Sequence, residues 1–418
     1  MSSANTGVRT VGIIGAGTMG SGIAVSCATG GLEVVLIDTQ AAALESGVRR
    51  SHAIIEGAVK KGRLASAAGT AARARIGTAT EMATLAAVDL VIEAVFENLQ
   101  LKQTIFRALD ANCAPGTLLA TNTSTLDIDA IAAATARPQD VVGMHFFSPA
   151  NVMPLVEIVR GAETSSASIA TALDVTRQIG KIGVVVGNCF GFVGNRMLYA
   201  YGRENQLMLL EGVTAQRIDV VLETFGMAMG PNAVGDLAGL DVGYRVRRER
   251  KDLPDDPRYF RVADLLVENG RLGQKSGRGM YRYGADKRAR EVDPEVDPLI
   301  RAEAARLGVV ARATSDAQIL ERCLYALINE GAAILGAGIA ASAEDIDTIW
   351  CNGYGFPRAR GGPMAYADTV GLGTVYDGVR RLAAVHGPRY WTADSLLADL
   401  GSRGSSFAAW SAQRASIS

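Results

Sequence analysis

Three histidines serve a chain of 418 residues. One of them, His145, opens the stretch HFFSPANVMPLVEIV, where an apolar run meets a Ser-Pro turn, and Glu157 lies twelve residues further on inside another apolar run. An imidazole titrates near neutral pH and can take a proton from an alcohol. Its protonated form is costly to bury unless a carboxylate faces it. Two neighbouring strands would bring this base and this acid into contact. The spacing alone fits a second reading equally well, a satisfied core histidine with Glu157 as a charge on an edge strand.

A second set of residues points to phosphate and ribose. The run TVGIIGAGTMGSGIA starts as a strand and turns at Gly15-Ala16-Gly17-Thr18-Met19-Gly20. Gly15 permits the tight turn, Gly17 lets a pyrophosphate approach the backbone, and Gly20 lets the following helix pack on the strand. Thr18 and Met19 open that helix and count with the glycines as cofactor contacts. The next strand, LEVVLID, ends in Asp38, placed to accept both hydroxyls of a ribose. Thr39 and Gln40 follow, with no arginine for a 2′-phosphate, so the cofactor expected is NAD rather than NADP.

The elements that must position these groups alternate. Apolar runs at 89–95, 117–124, 141–147, 154–159 and 182–187 read as strands, the earlier ones separated by helical stretches. This pattern predicts an α/β doubly wound, Rossmann-type domain over 1–188, with ligands at the carboxyl ends of its strands. Glu97, Asn122, Ser124 and His145 all fall at or just after strand ends. Asn122 and Ser124 could equally serve as turn residues. Residues 46–75 read as helical and basic. Lys60, Lys61 and Arg63 could meet the phosphates of a coenzyme, or form a solvated helix face.

Composition narrows the partners. The chain is 48% apolar and carries 42 basic and 43 acidic residues, a balance with no field for nucleic acid or anionic membrane. No apolar stretch approaches the roughly 20 residues of a membrane span. The five cysteines are dispersed and form no zinc motif with the scattered histidines, so no metal is expected and the thiols read as reduced, in a cytoplasmic setting. The opening MSSANTGVRT is polar, unlike a signal peptide, and the closing Ser416-Ile417-Ser418 differs from the SKL-type peroxisomal address.

Residues 189–418 read as mainly α-helical and internally repeated. NRMLYA at 195–200 echoes ERCLYA at 321–326, Ile218-Asp219 echoes Ile346-Asp347, and Asp236 with Gly239-Leu240 echoes Asp368 with Gly371-Leu372. Each copy would cover the apolar face of the other. The expected division is a first copy at 189–290, a linker at 291–314 around the helix-breaking EVDPEVDP, and a degenerate second copy at 315–418. Ser315 and Gln318 have the spacing of a capping box.

Several long stretches, in order, resemble the 3-hydroxyacyl-CoA dehydrogenase family: GIIGAGTMGSGIA, VIEAVFENLQLK, TNTSTLDI, GMHFFSPANVMPLVEIV, GNCFGFVGNRML, MGPNAVGDLAGLD and GGPMAYADTVGL. The wording is most similar to the dehydrogenase half of peroxisomal-type bifunctional enoyl-CoA hydratase/3-hydroxyacyl-CoA dehydrogenases, without the hydratase part. The resemblance implies an NAD-dependent (3S)-hydroxyacyl-CoA dehydrogenase, interconverting 3-hydroxyacyl-CoA and 3-ketoacyl-CoA in fatty-acid β-oxidation or a related CoA-ester pathway. It implies His145 as general base, Glu157 as the group that holds its ring, and Ser124 and Asn195 as hydrogen-bond partners of the reacting oxygen or thioester. It also implies Asp38 on the adenosine ribose and Glu97 and Lys102 near the nicotinamide ribose. On the residues alone, Asn195 could be an N-cap and Lys102 a solvated helix residue. Many family members carry Asp and Pro where this chain has Asn188 and Phe190; the peroxisomal-type branch shares the present wording. Where shorter members pair two chains, the tandem copy here implies a monomer. The second copy has Glu321 in the place of Asn195 and reads as structural.

Overall fold

A computed structural model describes residues 7–250, 252–284 and 289–416. The first six residues and the last two, on which the targeting expectations partly rest, lie outside the described residues. Two compact units emerge, one of 1–195 with 337–354 and the other of 196–336 with 355–418.

The first unit is built on eight strands: β1 (Thr10–Ile14), β2 (Glu33–Ile37), β3 (Ile76–Ala79), β4 (Leu90–Glu93), β5 (Leu118–Thr121), β6 (Val141–Phe146), β7 (Leu155–Arg160) and β8 (Ile182–Gly187). They line up in the order β3-β2-β1-β4-β5-β6-β7-β8. Neighbours from β3 to β6 are parallel, β7 runs antiparallel to β6, and β8 is parallel to β7. Every residue of β4, β5 and β6 is buried, as expected of strands covered by helices on both faces. The doubly wound expectation is met. The short edge strand β3, with two exposed residues among its four, is an addition that apolar runs could not reveal. The basic segment 46–75 is two helices, Ala41–Lys60 and Ser66–Ala74, broken at Gly62, whose φ of 67° no side-chain-bearing residue readily adopts.

The chain reverses between β6 and β7 through residues 147–154. This turn packs closely on the helix Thr18–Thr29: a Cβ at Gly22 would lie 3.1 Å from that of Ala150, and Ser26 Oγ donates to the Ala150 carbonyl at 3.1 Å.

Among the described residues the second unit is helical apart from the small hairpin of Tyr281–Tyr283 and Arg290–Val292. The repeat is visible in backbone detail. Gly239 and Gly371 adopt nearly the same conformation, φ 92° ψ 114° and φ 91° ψ 122°. Asp236 accepts from the amides of Met280 and Tyr281, and Asp368 from those of Phe407 and Ala408. The Ser315–Gln318 capping box forms in both directions, at 3.3 and 2.8 Å. Two details depart from expectation. The segment 291–314 contains a helix, Val296–Arg306, because Pro298 sits in its first turn, where a missing N–H costs nothing. The 315–418 copy is divided between the units, since its helix Ala343–Gly353 lies with β7 and β8 of the sheet.

Candidate active site

The antiparallel pairing of β6 with β7 sets His145 directly opposite Glu157. Residues so paired share a face, and their side chains meet: His145 Nδ1 stands 2.8 Å from Glu157 Oε2. Glu157 is wholly buried and fully partnered, its Oε1 accepting from the amides of Val193 at 3.2 Å and Gly194 at 2.9 Å. These amides open the helix Gly194–Leu210, where the helix dipole favours a negative charge. The His145 ring lies between Phe147, 4.6 Å away, and Phe192, 5.8 Å away. Its Nε2 has no protein partner among the described residues. The carboxylate therefore accepts from Nδ1–H and leaves Nε2 with a lone pair, the tautomer a proton acceptor needs.

A second network, partly missed from the sequence, joins β4 and β5. Glu93, the last residue of β4, is fully buried, and Lys102 Nζ reaches its two oxygens at 2.7 and 2.9 Å. Thr121 Oγ1 and the Val95 amide complete its shell, each at 2.7 Å. Lys102 is itself fully buried, which overturns the solvated-face reading. The signal for Glu93 was an acid inside the apolar run LVIEAV, but a run gives no partner. Lys102 also lies 3.6 Å from Glu97, whose Oε1 gathers Thr123 Oγ1 at 2.6 Å, the Ser124 amide at 2.9 Å and Ser124 Oγ at 3.2 Å. Burial pushes the Glu97 carboxyl up, but Lys102 and these hydrogen bonds outweigh it, and the net shift is downward.

Asn195 sits just inside its helix rather than capping it. Its Nδ2 faces the Ser124 carbonyl at 3.4 Å, and its Oδ1 accepts from the Tyr354 hydroxyl at 2.9 Å. Asn122 pins neighbouring strands, its Oδ1 accepting from the Phe146 amide at 2.8 Å rather than from a turn amide of its own segment. Asn188, at the end of β8, donates to Asp127 at 2.5 Å and Asp129 at 2.9 Å.

The glycine turn tests the dinucleotide reading position by position. Gly15 has φ 101°, and a Cβ there would strike the Ala94 carbonyl at 2.7 Å; one at Gly20 would overlap the Gly15 carbonyl at 1.8 Å. Gly17 is different. Among the described residues a Cβ there would meet nothing within 4 Å beyond its chain neighbours, and its φ is −71°, so these residues place no demand on this position. A pyrophosphate brought against the backbone would. Thr18 begins a helix with no side-chain cap among the described residues, leaving amides for an anion. Met19 is half-buried behind it. Asp38 lies at the tip of β2 with Oδ2 3.1 Å from the Ala16 amide. These residues fit a dinucleotide. Lys60, Lys61 and Arg63 are exposed around the end of the helix Ala41–Lys60.

Comparison with known proteins agrees with this geometry. The profile of the 3-hydroxyacyl-CoA dehydrogenase NAD binding domain matches residues 10–189. That of the 3-hydroxyacyl-CoA dehydrogenase C-terminal domain matches twice, at 191–283 and 319–406, so the repeat is one domain present in two copies. The chain is 46% identical over 384 residues to the peroxisomal bifunctional enzyme of Danio rerio, covering 88% of this chain and 53% of that one. It is 36% identical over 386 residues to the peroxisomal fatty acid beta-oxidation multifunctional protein of Arabidopsis thaliana, covering 91% and 53%. The chain thus spans about half the length of these curated relatives. Among solved structures, the 3-hydroxybutyryl-CoA dehydrogenase of Escherichia coli superposes with a TM-score of 0.80 at 30% identity, covering 95% of this chain and 99% of that one.

Proposed function

This chain belongs to the 3-hydroxyacyl-CoA dehydrogenase family, with residues 10–189 as its NAD-binding domain, and on that premise we propose that it oxidises (3S)-hydroxyacyl-CoA to 3-ketoacyl-CoA and catalyses the reverse reaction. The observation that carries this reading is the His145–Glu157 pair, in which a buried carboxylate holds one ring nitrogen and leaves the other as an acceptor. His145 Nε2 takes the proton of the 3-hydroxyl as the C3–O bond becomes a carbonyl. Bound NAD supplies the acceptor for the hydride leaving C3. Glu157 fixes the ring and balances the imidazolium that forms. Asn195 and Ser124 hydrogen-bond the reacting oxygen or the thioester. Asp38 and the Gly15–Gly20 turn hold the adenosine ribose and pyrophosphate, and Glu97 with Lys102 stands near the nicotinamide ribose.

The relatives' names support a place in fatty-acid β-oxidation. The exposed Lys60, Lys61 and Arg63 are the proposed contacts for coenzyme A phosphates; neutralising all three should raise KM for the thioester without lowering kcat. Two helical copies in one chain support a monomer, which sedimentation tests. The compartment proposed is cytoplasmic, on the strength of an odd, dispersed set of five cysteines in the sequence, although both relatives are named as peroxisomal; imaging of the tagged chain decides between them.

The deciding assay follows NADH absorbance with acetoacetyl-CoA. Native protein should turn over, and His145→Ala should lose roughly two or more orders of magnitude in kcat while still binding NADH. A native chain that binds NADH but reduces neither short nor long 3-ketoacyl-CoA refutes the proposed activity. A His145→Ala variant within tenfold of native refutes the role of the base.

A further inference from the structure

The second helical copy reaches the site just described. Its helix Ala343–Gly353 lies with β7 and β8, and Tyr354 ends it. The Tyr354 ring stacks on the fully buried Trp350, with centroids 4.7 Å apart and planes at 24°. It meets Phe147 edge to face at 5.4 Å, and Phe147 in turn lies against His145. A Cβ at Gly194 would come within 2.4 Å of this ring, so glycine there makes the room for it.

What the ring delivers is its hydroxyl, 2.9 Å from Asn195 Oδ1. The terminal torsion of an asparagine is soft, so its two ends are told apart only by their partners. The other partner is the Ser124 carbonyl, which can only accept and must therefore face the amide nitrogen, at a long 3.4 Å. The phenol is the shorter of the two contacts. It holds the oxygen end and leaves Nδ2 with a second hydrogen to donate. The first-copy helix Ala215–Phe225 ends at Gly226 with φ 117°, and the second copy keeps a left-handed glycine one place after Tyr354, Gly355 with φ 71°.

We infer that Tyr354, from the second copy, is a positioning residue of the dehydrogenase: its hydroxyl orients Asn195 so that Nδ2 donates to the reacting oxygen. This rests on the role proposed above for Asn195.

The test is a double-mutant cycle of Tyr354→Phe and Asn195→Ala, read as kcat and KM with NADH and acetoacetyl-CoA, alongside thermal unfolding. Tyr354→Phe keeps the ring and its packing. It should leave the unfolding temperature and the KM for NADH close to native and lower kcat roughly tenfold, the size of one well-placed hydrogen bond. In the Asn195→Ala background the same change should alter kcat less than about twofold, since nothing is left to orient. A Tyr354→Phe enzyme with native kcat overturns the inference. So does an equal loss in both backgrounds, which would mean the phenol acts elsewhere. If Asn195→Ala alone keeps native kcat, the role of Asn195 fails and this inference with it, while the His145→Ala result stands separately.

Discussion

Replacing Glu157 with glutamine changes one oxygen into an NH2 group and little else. Glu157 Oε1 accepts from two backbone amides, at 3.2 and 2.9 Å, and Oε2 accepts from His145 Nδ1 at 2.8 Å. A glutamine has one acceptor end, and the two fixed N–H groups claim it. Its NH2 must then face Nδ1 and donate to it. That reverses the tautomer: Nδ1 becomes the acceptor and Nε2 carries the hydrogen, so Nε2 cannot take a proton from substrate. The carboxylate that would balance an imidazolium is also gone. A tautomer-reversing Asp→Asn change in a serine-protease triad costs about 10⁴ in kcat, so a loss of about 10³–10⁴ is expected here, about 4–5.5 kcal/mol in barrier at 1.36 kcal/mol per decade. The backbone contacts of Glu157 survive, so NADH affinity by fluorescence titration and the circular dichroism spectrum should match native. Stopped-flow NADH oxidation with acetoacetyl-CoA measures the step. A Glu157→Gln enzyme within tenfold of native would show that the carboxylate does not set the tautomer, and the argument from the β6–β7 register would fail.

Gly17→Ala should fold normally, because among the described residues nothing beyond its chain neighbours lies within 4 Å of the added methyl, yet weaken NADH binding at least tenfold; unchanged affinity would show that no pyrophosphate sits there. Gly20→Ala should instead cost about 1–3 kcal/mol in urea unfolding through its overlap with the Gly15 carbonyl. Lys102→Met strands the buried Glu93 carboxylate and should cost about 3–5 kcal/mol, and adding Glu93→Met should recover most of it; a single variant as stable as native refutes the pairing. His386 has its pKa lowered from 6.5, by burial first and then by Arg322, against the pull of Glu211. Below about pH 6.5 the unfolded chain therefore binds a proton that folded His386 resists, and stability falls as pH drops. His386→Asn should flatten the decline in urea midpoint between pH 7.5 and 5.5, and an unchanged slope would count against the assignment.

Much of this protein is written in local sequence. The dinucleotide turn is legible because each glycine answers a separate demand, two made by the backbone and one by a ligand. The strands β4, β5 and β6 are legible because burial on both faces needs unbroken apolar runs. Even the His145–Glu157 contact could be anticipated, since only a short reversal separates the two strands. The tandem copy shows as echoed motifs at a nearly fixed offset.

Other features depend on contacts that no run or period encodes. The pairing of Lys102 with Glu93 reads as a helix-face lysine and a stray acid until both are buried together; burial is what makes the pair obligatory. Asn122 looks like a turn residue because its partner, the Phe146 amide, lies on another strand. The second copy reads as structural because sequence similarity ranks it against the first copy, not against the sheet. Only folding lays the helix Ala343–Gly353 beside β7 and β8 and brings the Tyr354 hydroxyl to an asparagine 159 residues earlier in the chain. Periodicity and turn chemistry act over a few residues and determine the elements. Which side chains meet across them is decided by packing, where each buried polar group must find its partner.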